Sequence, residues 1–144
     1  MSRRPVMIVD DCKDDKHLLR LAFRAAGVEQ PLVELESGDE AQKYLSGEGP
    51  YSDRRLYPLP CVVITDLKMP KMDGFDLLGW MRAQPALGGV PRLVLSGSGE
   101  DGDRKRANQL GACGYYVKPS GVRQLVDVVK HMDAHWIEEH CGRG

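Results

Sequence analysis

Short apolar runs alternate along the chain with longer segments of helical periodicity. The runs Val6 to Val9, Leu32 to Leu35, Cys61 to Thr65, Arg92 to Ser96 and Tyr115 to Val117 are short and largely apolar or aromatic, the third of them β-branched, and turn-forming residues or carboxylates lie at their ends. Runs of that length and composition predict strands. Between them, Leu18, Leu21, Ala22 and Ala25 recur at helical spacing after Asp14 or Asp15, and Gly27 stops the helix. Ser37 and Glu40 read as a capping box that opens a short helix through Leu45. A third helix is predicted from Phe75 to Ala83, with Leu78 and Met81 inward and Pro85 ending it, and a fourth from Asp103 to Leu110, stopped by Gly111. The last carries the longest apolar stripe, Val122, Leu125, Val126, Val129, Met132 and Trp136. Its far end, Met132 to Trp136, runs past what one domain needs and predicts apolar surface for a second subunit. Five strands alternating with five helices predict a doubly wound, three-layer α/β domain.

One connection does not fit the short-loop habit of such domains. Residues 47–60 carry several glycine and proline breakers and span far more than the usual four to six or so residues. Tyr51, Arg54, Arg55, Leu56 and Tyr57 in it suit either a partner surface or a loop packed upon itself.

The chemistry lies where strands end. The third strand finishes in Asp66, and Met69-Pro70 and Asp73-Gly74 then turn the chain. Alone, such an Asp would cap a loop. The first strand, however, finishes in Asp10-Asp11, two adjacent carboxylates whose repulsion a bound cation would offset, and the fifth finishes in Lys118-Pro119. In an open parallel sheet, ligands bind beyond the carboxyl ends of the strands, where the strand order reverses. Three carboxylates and one ammonium are therefore expected to converge there.

Taken together, Val9-Asp10-Asp11, Asp66 with Met69-Pro70 and Asp73-Gly74, Ser96 after Leu93-Val94-Leu95, and Gly111 to Tyr115 leading into Lys118-Pro119 resemble the receiver domains of two-component response regulators. The resemblance spans nearly the whole chain, here read as one receiver domain over 1–144, with its core at about 5–130 and no output domain. It implies a flavodoxin-like five-stranded parallel sheet of order 2-1-3-4-5. It also implies that Asp66 accepts a phosphoryl group, that Asp10, Asp11, Asp66 and the main-chain carbonyl of Lys68 hold Mg2+ or Mn2+, and that Lys118 pairs with a phosphoryl oxygen. The Lys118-Pro119 peptide is implied to be cis, Ser96 to hydrogen-bond the phosphoryl group, and Tyr115 to turn inward once it is present. Tyr116 neighbours Tyr115 on the opposite face, so that last choice rests on family spacing. Where the family often has Asn two residues after the phosphoacceptor, this chain has Lys68, and Ser98 stands two residues after Ser96.

The long loop before the third strand, Leu110-Gly111-Ala112 and the ending around His135-Trp136 resemble the single-domain receivers that partner bacterial phytochrome-type histidine kinases. The implied partners are such a sensor kinase, a histidine phosphotransfer or downstream target protein, and a second copy meeting through the fourth and fifth helices and the fifth strand. A phosphorelay intermediate is the alternative role. A metal-dependent phosphatase would want a second Asp two residues after Asp66, where Lys68 stands.

Composition narrows the partners little. With a net charge of -1 the chain has no global attraction to nucleic acid or anionic membrane, and Arg104-Lys105-Arg106, interleaved with Glu100, Asp101 and Asp103, reads as a solvated helix face. No transmembrane-length apolar run occurs, and Met1 to Pro5 leads into a strand without a signal-peptide core, which reads as cytoplasmic. Cys12, Cys61, Cys113 and Cys141 lack metal or redox-motif spacing. Cys61 and Cys113 are expected to be small buried side chains, and Cys12 a core residue or a thiol at the rim of the site. His131 and His135, one turn apart with Cys141 beyond, form a formal ligand set that reads more simply as a solvated face.

Overall fold

The computed structural model describes residues 4–141; the charged start at Met1–Arg3 lies outside the described residues. Five parallel strands, β1 (Val6–Val9), β2 (Leu32–Leu35), β3 (Val62–Thr65), β4 (Arg92–Ser96) and β5 (Gly114–Val117), form one sheet in the order β2-β1-β3-β4-β5. β1 pairs with β2 from Val6 opposite Leu32 and with β3 from Val6 opposite Val62, so it starts level with both neighbours. It is buried on both faces, which explains an unbroken apolar run where alternation would mark a half-exposed strand.

Helices α1 (Lys13–Ala25) and α5 (Val122–Met132) cover one face, where Val6, Ile8, Val62, Ile64, Leu93 and Leu95 meet Leu19, Phe23, Leu125 and Val129. Helices α2 (Gly38–Ser46), α3 (Gly74–Arg82) and α4 (Asp101–Gln109) cover the other, burying Met7, Val9, Val63 and Val94 beneath Tyr44, Leu77, Met81 and Leu78. Three layers result, as the alternation predicts.

Ser37 caps α2 by accepting from the Glu40 N–H at 3.1 Å, as its sequence signature indicates. Asp73 caps α3 reciprocally with Asp76. The first helix starts at Lys13, with Cys12 as its N-cap, one or two residues before the predicted acids.

Four expectations are corrected. The stripe of the last helix does not project as free surface. α5 passes into a π-helical turn (Asp133–Ile137) and α6 (Glu138–Cys141), and the residue inserted at that turn rotates the positions beyond it, so that Ile137 and Met132 are fully buried and Trp136 packs on the core. Cys113 is exposed. Cys61 is buried as expected, but it is disulfide-bonded to Cys141, which removes Cys141 from any ligand set with the exposed His131 and His135. Two of the three basic residues on α4 are not merely solvated: Arg104 and Arg106 lie over the rings of Tyr115 and Phe75 at 4.6 and 4.1 Å.

Residues 47–60 pack upon themselves. Tyr44, Tyr51 and Tyr57 form an aromatic cluster with centroids 4.9 to 6.0 Å apart. The Arg54 guanidinium donates to the carbonyls of Tyr44, Leu45 and Tyr57 at 2.8, 2.9 and 3.1 Å, closing the carboxyl end of α2. The tip, Leu56, stays 71% exposed.

Candidate functional site

The parallel register brings the residues after β1, β3 and β5 to one edge. Asp10 N–H donates to the Leu35 carbonyl at 3.0 Å, Asp66 N–H to Val9 at 2.9 Å and Lys118 N–H to Ser96 at 2.7 Å, so each side chain leaves the sheet from a bonded position. The Lys118 Nζ donates to Asp10 at 2.7 Å, Asp15 at 2.7 Å and Asp66 at 2.9 Å. Carboxylate oxygens of Asp10, Asp11 and Asp66 lie within 4.8 Å of one another, with Asp10 and Asp66 buried and Asp11 exposed. Asp66 Oδ1 also accepts from the Leu67 N–H at 2.7 Å, and Asp10 Oδ1 from the Cys12 N–H at 3.0 Å. One oxygen of each buried carboxylate is thus fixed by backbone and the other by the lysine.

An open cleft of about 480 Å³ lies above this cluster, lined by Asp15, Asp66, Lys68, Ser96, Gly97 to Glu100 and Lys118. Ser96 is buried, and its Oγ accepts from the Ser98 N–H at 3.2 Å. Tyr115 does not line the cleft. Its hydroxyl donates to the Ser98 carbonyl at 2.8 Å, tying β5 to the loop after β4, while Tyr116 points to the opposite face and bonds His131.

The cis expectation at Lys118-Pro119 is corrected: no cis peptide bond occurs among the described residues. With the Lys118 N–H anchored on Ser96, the long lysine stem reaches all three carboxylates across an ordinary trans bond.

Asp15 is the residue that sequence reasoning missed. An acid in the first turn of a helix reads as a partner of the helix dipole. Its place in the first turn of the helix that follows Asp10-Asp11, close in the chain to that acidic pair, is the signal that could have marked it.

Burial raises the Asp10 carboxyl above the ordinary carboxylate range, and the Lys118 and Cys12 bonds offset this only in part. Burial alone would lower the Lys118 ammonium, but its bonds to Asp10, Asp15 and Asp66 outweigh this and raise it. A raised lysine stabilises the fold fully below its unfolded value of about 10.4, and that contribution is lost as pH climbs through the higher folded value. Lys118 is therefore charged across the physiological range, where it acts as the cation of the site.

The donor set fits a divalent ion. Hard oxygen ligands this close suit Mg2+ or Mn2+, and the bridging ammonium shows that the cluster demands positive charge. Because ammonium and metal compete for the same oxygens, Lys118→Met is expected to bind Mn2+ about tenfold or more tightly, as isothermal titration calorimetry would show. Unchanged affinity would mean that the lysine and the metal do not share ligands.

Sheet order, carboxylates at strand ends and a lysine after the last strand together make the arrangement of a signal-receiver domain. The chain belongs to the response regulator receiver domain family, whose model matches residues 6–130. It is 26% identical over 133 residues to response regulator Rcp1 of Synechocystis sp., covering 92% of this chain and 88% of that protein. Among solved structures, it is similar to a phosphorylated cyanobacterial phytochrome response regulator, RcpA, at 29% identity and a TM-score of 0.86, covering 96% of both chains. It is also similar to the Mn2+-bound form of Rcp1, at 26% identity and a TM-score of 0.82, covering 94% and 95%. Among the described residues, no helix is long and apolar enough to cross a membrane.

Proposed function

We propose that this receiver is a phosphorylation-driven switch in which Asp66 takes a phosphoryl group from a sensor histidine kinase of the phytochrome kind and signals through protein contacts. The observation that carries this reading is the Asp66 carboxylate at the base of an open cleft, bonded to Lys118 and beside Asp10 and Asp11. An oxygen of Asp66 attacks the phosphorus, the bond to the donor's imidazole nitrogen breaks, and the imidazole leaves with a proton from solvent; the product is an acyl phosphate. When bound, Mg2+ or Mn2+ on Asp10, Asp11, Asp66 and the Lys68 carbonyl supplies charge neutralisation for the transferring group.

The chain's own groups do the rest. Leu67 N–H orients the attacking carboxylate. Lys118 exchanges a carboxylate oxygen for a phosphoryl oxygen, and the Ser96 hydroxyl, on the cleft wall, turns from Ser98 to donate to another. Tyr115, through its bond to the Ser98 carbonyl, transmits that loop movement to the face formed by α4, β5 and α5. Val117 and Val122, 39% and 50% exposed at the exit of β5, support that face as the meeting surface for a second copy. The protein then works as a switch rather than an enzyme with a separate substrate, and a cytoplasmic setting supplies its donor.

Intact-mass measurement after incubation with acetyl phosphate tests the reading. One phosphoryl group is expected with Mg2+ and none after chelation; no uptake under either condition, nor from a phosphorylated histidine kinase, would overturn it. Lys68 and Ser98 both line the cleft where a hydrolytic water must approach. Lys68→Asn is accordingly expected to change the lifetime of the acyl phosphate several-fold, followed by the decay of the phosphorylated mass, and an unaltered lifetime would remove Lys68 from that role.

A further inference from the structure

The disulfide between Cys61 and Cys141 plays no part in the chemistry at Asp66. It bridges residues 80 apart, with Cα atoms at 5.1 Å, and fastens the last turn of α6 to the residue that precedes β3. That point lies at the amino ends of the strands, opposite the carboxylate cleft. Cys61 is 1% exposed, whereas Cys141 is half-buried at the end of its helix, so only one sulfur of the pair is open to reagents. The Cys61 sulfur also sits 3.4 and 3.6 Å from the carbonyl oxygens of Pro5 and Arg4. A reduced Cys61 thus has acceptors for its thiol proton, and the fold accommodates both redox states without stranding a buried polar atom. Cys12 and Cys113 are the cysteines outside this disulfide.

The deepest anchors of the segment that the bond fastens lie short of its end. Its inward anchors are Ile137, fully buried, and Trp136, whose indole donates to the Tyr116 hydroxyl at 3.3 Å. Beyond them, His140 closes onto the Trp136 carbonyl at 2.9 Å, and α6 is a single turn. A covalent bond at Cys141 therefore restrains the very end of a stretch whose most deeply buried side chain beyond Met132, Ile137, lies in its middle.

We propose that Cys61 and Cys141 are a reversible dithiol–disulfide pair that clamps residues 133–141 to the sheet when a small-molecule disulfide oxidises it. The Cys141 thiolate attacks one sulfur of the small disulfide, forming a mixed disulfide and expelling one thiolate. The Cys61 thiolate then attacks the Cys141 sulfur, forming the intramolecular bond and expelling the second. The protein loses two electrons, the small disulfide is reduced to two thiols, and the two protein protons end on the expelled thiolates. In a reducing compartment such a bond is transient and reports redox state.

The test uses the full chain equilibrated with oxidised glutathione or with excess thiol, quenched, mapped by peptide mass spectrometry and followed by hydrogen exchange. The oxidised protein is expected to yield a Cys61–Cys141 crosslinked peptide, and the reduced protein four alkylatable cysteines. Amides of 133–141 are expected to exchange at least about tenfold faster in the reduced form. Cys141→Ser should exchange fast in both buffers, separating the bond from any effect of the reductant. Absence of the crosslinked peptide, a different pairing, or equal exchange of 133–141 in the two redox states of the wild type would overturn the proposal.

Discussion

Asp66→Asn is expected to take up no phosphoryl group from acetyl phosphate or from a kinase at any Mg2+ concentration, a complete loss rather than a slower rate. The amide keeps the shape and the bond from the Leu67 N–H, which the remaining carbonyl oxygen accepts, but its nitrogen cannot serve as the nucleophile, and the residue brings no charge to a metal. Asp10 and Asp11 do not substitute, because Asp10 is held by Lys118 and the Cys12 N–H and Asp11 is exposed at the cluster's edge. Intact-mass spectrometry reads the outcome directly. A variant phosphorylated at another carboxylate would show that the cluster, rather than one residue, is the acceptor. Fold and metal binding are checked in the same sample by circular dichroism and Mn2+ titration, with weakened affinity expected from the loss of one ligand.

Gly74→Ala is expected to cause the largest loss of stability. A Cβ at Gly74 would stand 2.1 Å from the Asp66 carbonyl oxygen and 2.7 Å from the Leu67 Cα. Both are backbone atoms of the segment that presents the Asp66 carboxylate, so no side-chain rotation relieves the clash. The Gly74 N–H meanwhile donates to the Leu67 carbonyl at 2.9 Å, drawing the start of α3 against that segment. Relief requires moving α3 or the strand exit. The cost is expected near the top of the about 1–3 kcal/mol range for forced overpacking, lowering the melting temperature by about 10 °C in a domain of this size. Thermal and urea denaturation measure it. Because the displaced backbone carries Asp66, the same variant should also slow phosphorylation, and an unaffected rate would place the strain wholly in α3.

The sites that announce themselves in the sequence are those where charge interrupts an apolar strand. Asp10, Asp11, Asp66 and Lys118 stand out because each follows directly on an apolar strand run, and parallel register then dictates that they meet. Asp15 does not stand out, since an acid at a helix start is what the helix dipole favours anyway. The Cys61–Cys141 pair is invisible for a different reason: a separation of 80 residues carries no spacing signal, and only the packing of α6 brings the sulfurs together. The apolar stripe through Trp136 is regular on paper, whereas the π-helical turn re-aims its last residues into the core. Composition marks 47–60 as a loop, yet its order depends on one guanidinium reaching carbonyls 9 and 10 residues back along the chain.

That loop also gives the molecule a handle. Strands that run in parallel place their chemistry at one pole, and the 47–60 segment leaves the carboxyl end of α2 at the other. Leu56 rides at its tip, outside the tyrosine cluster and the Arg54 bonds that hold its base. A dye or surface tether attached there would keep the cleft facing solution, so the protein can be immobilised or made fluorescent without obstructing the approach of a phosphodonor.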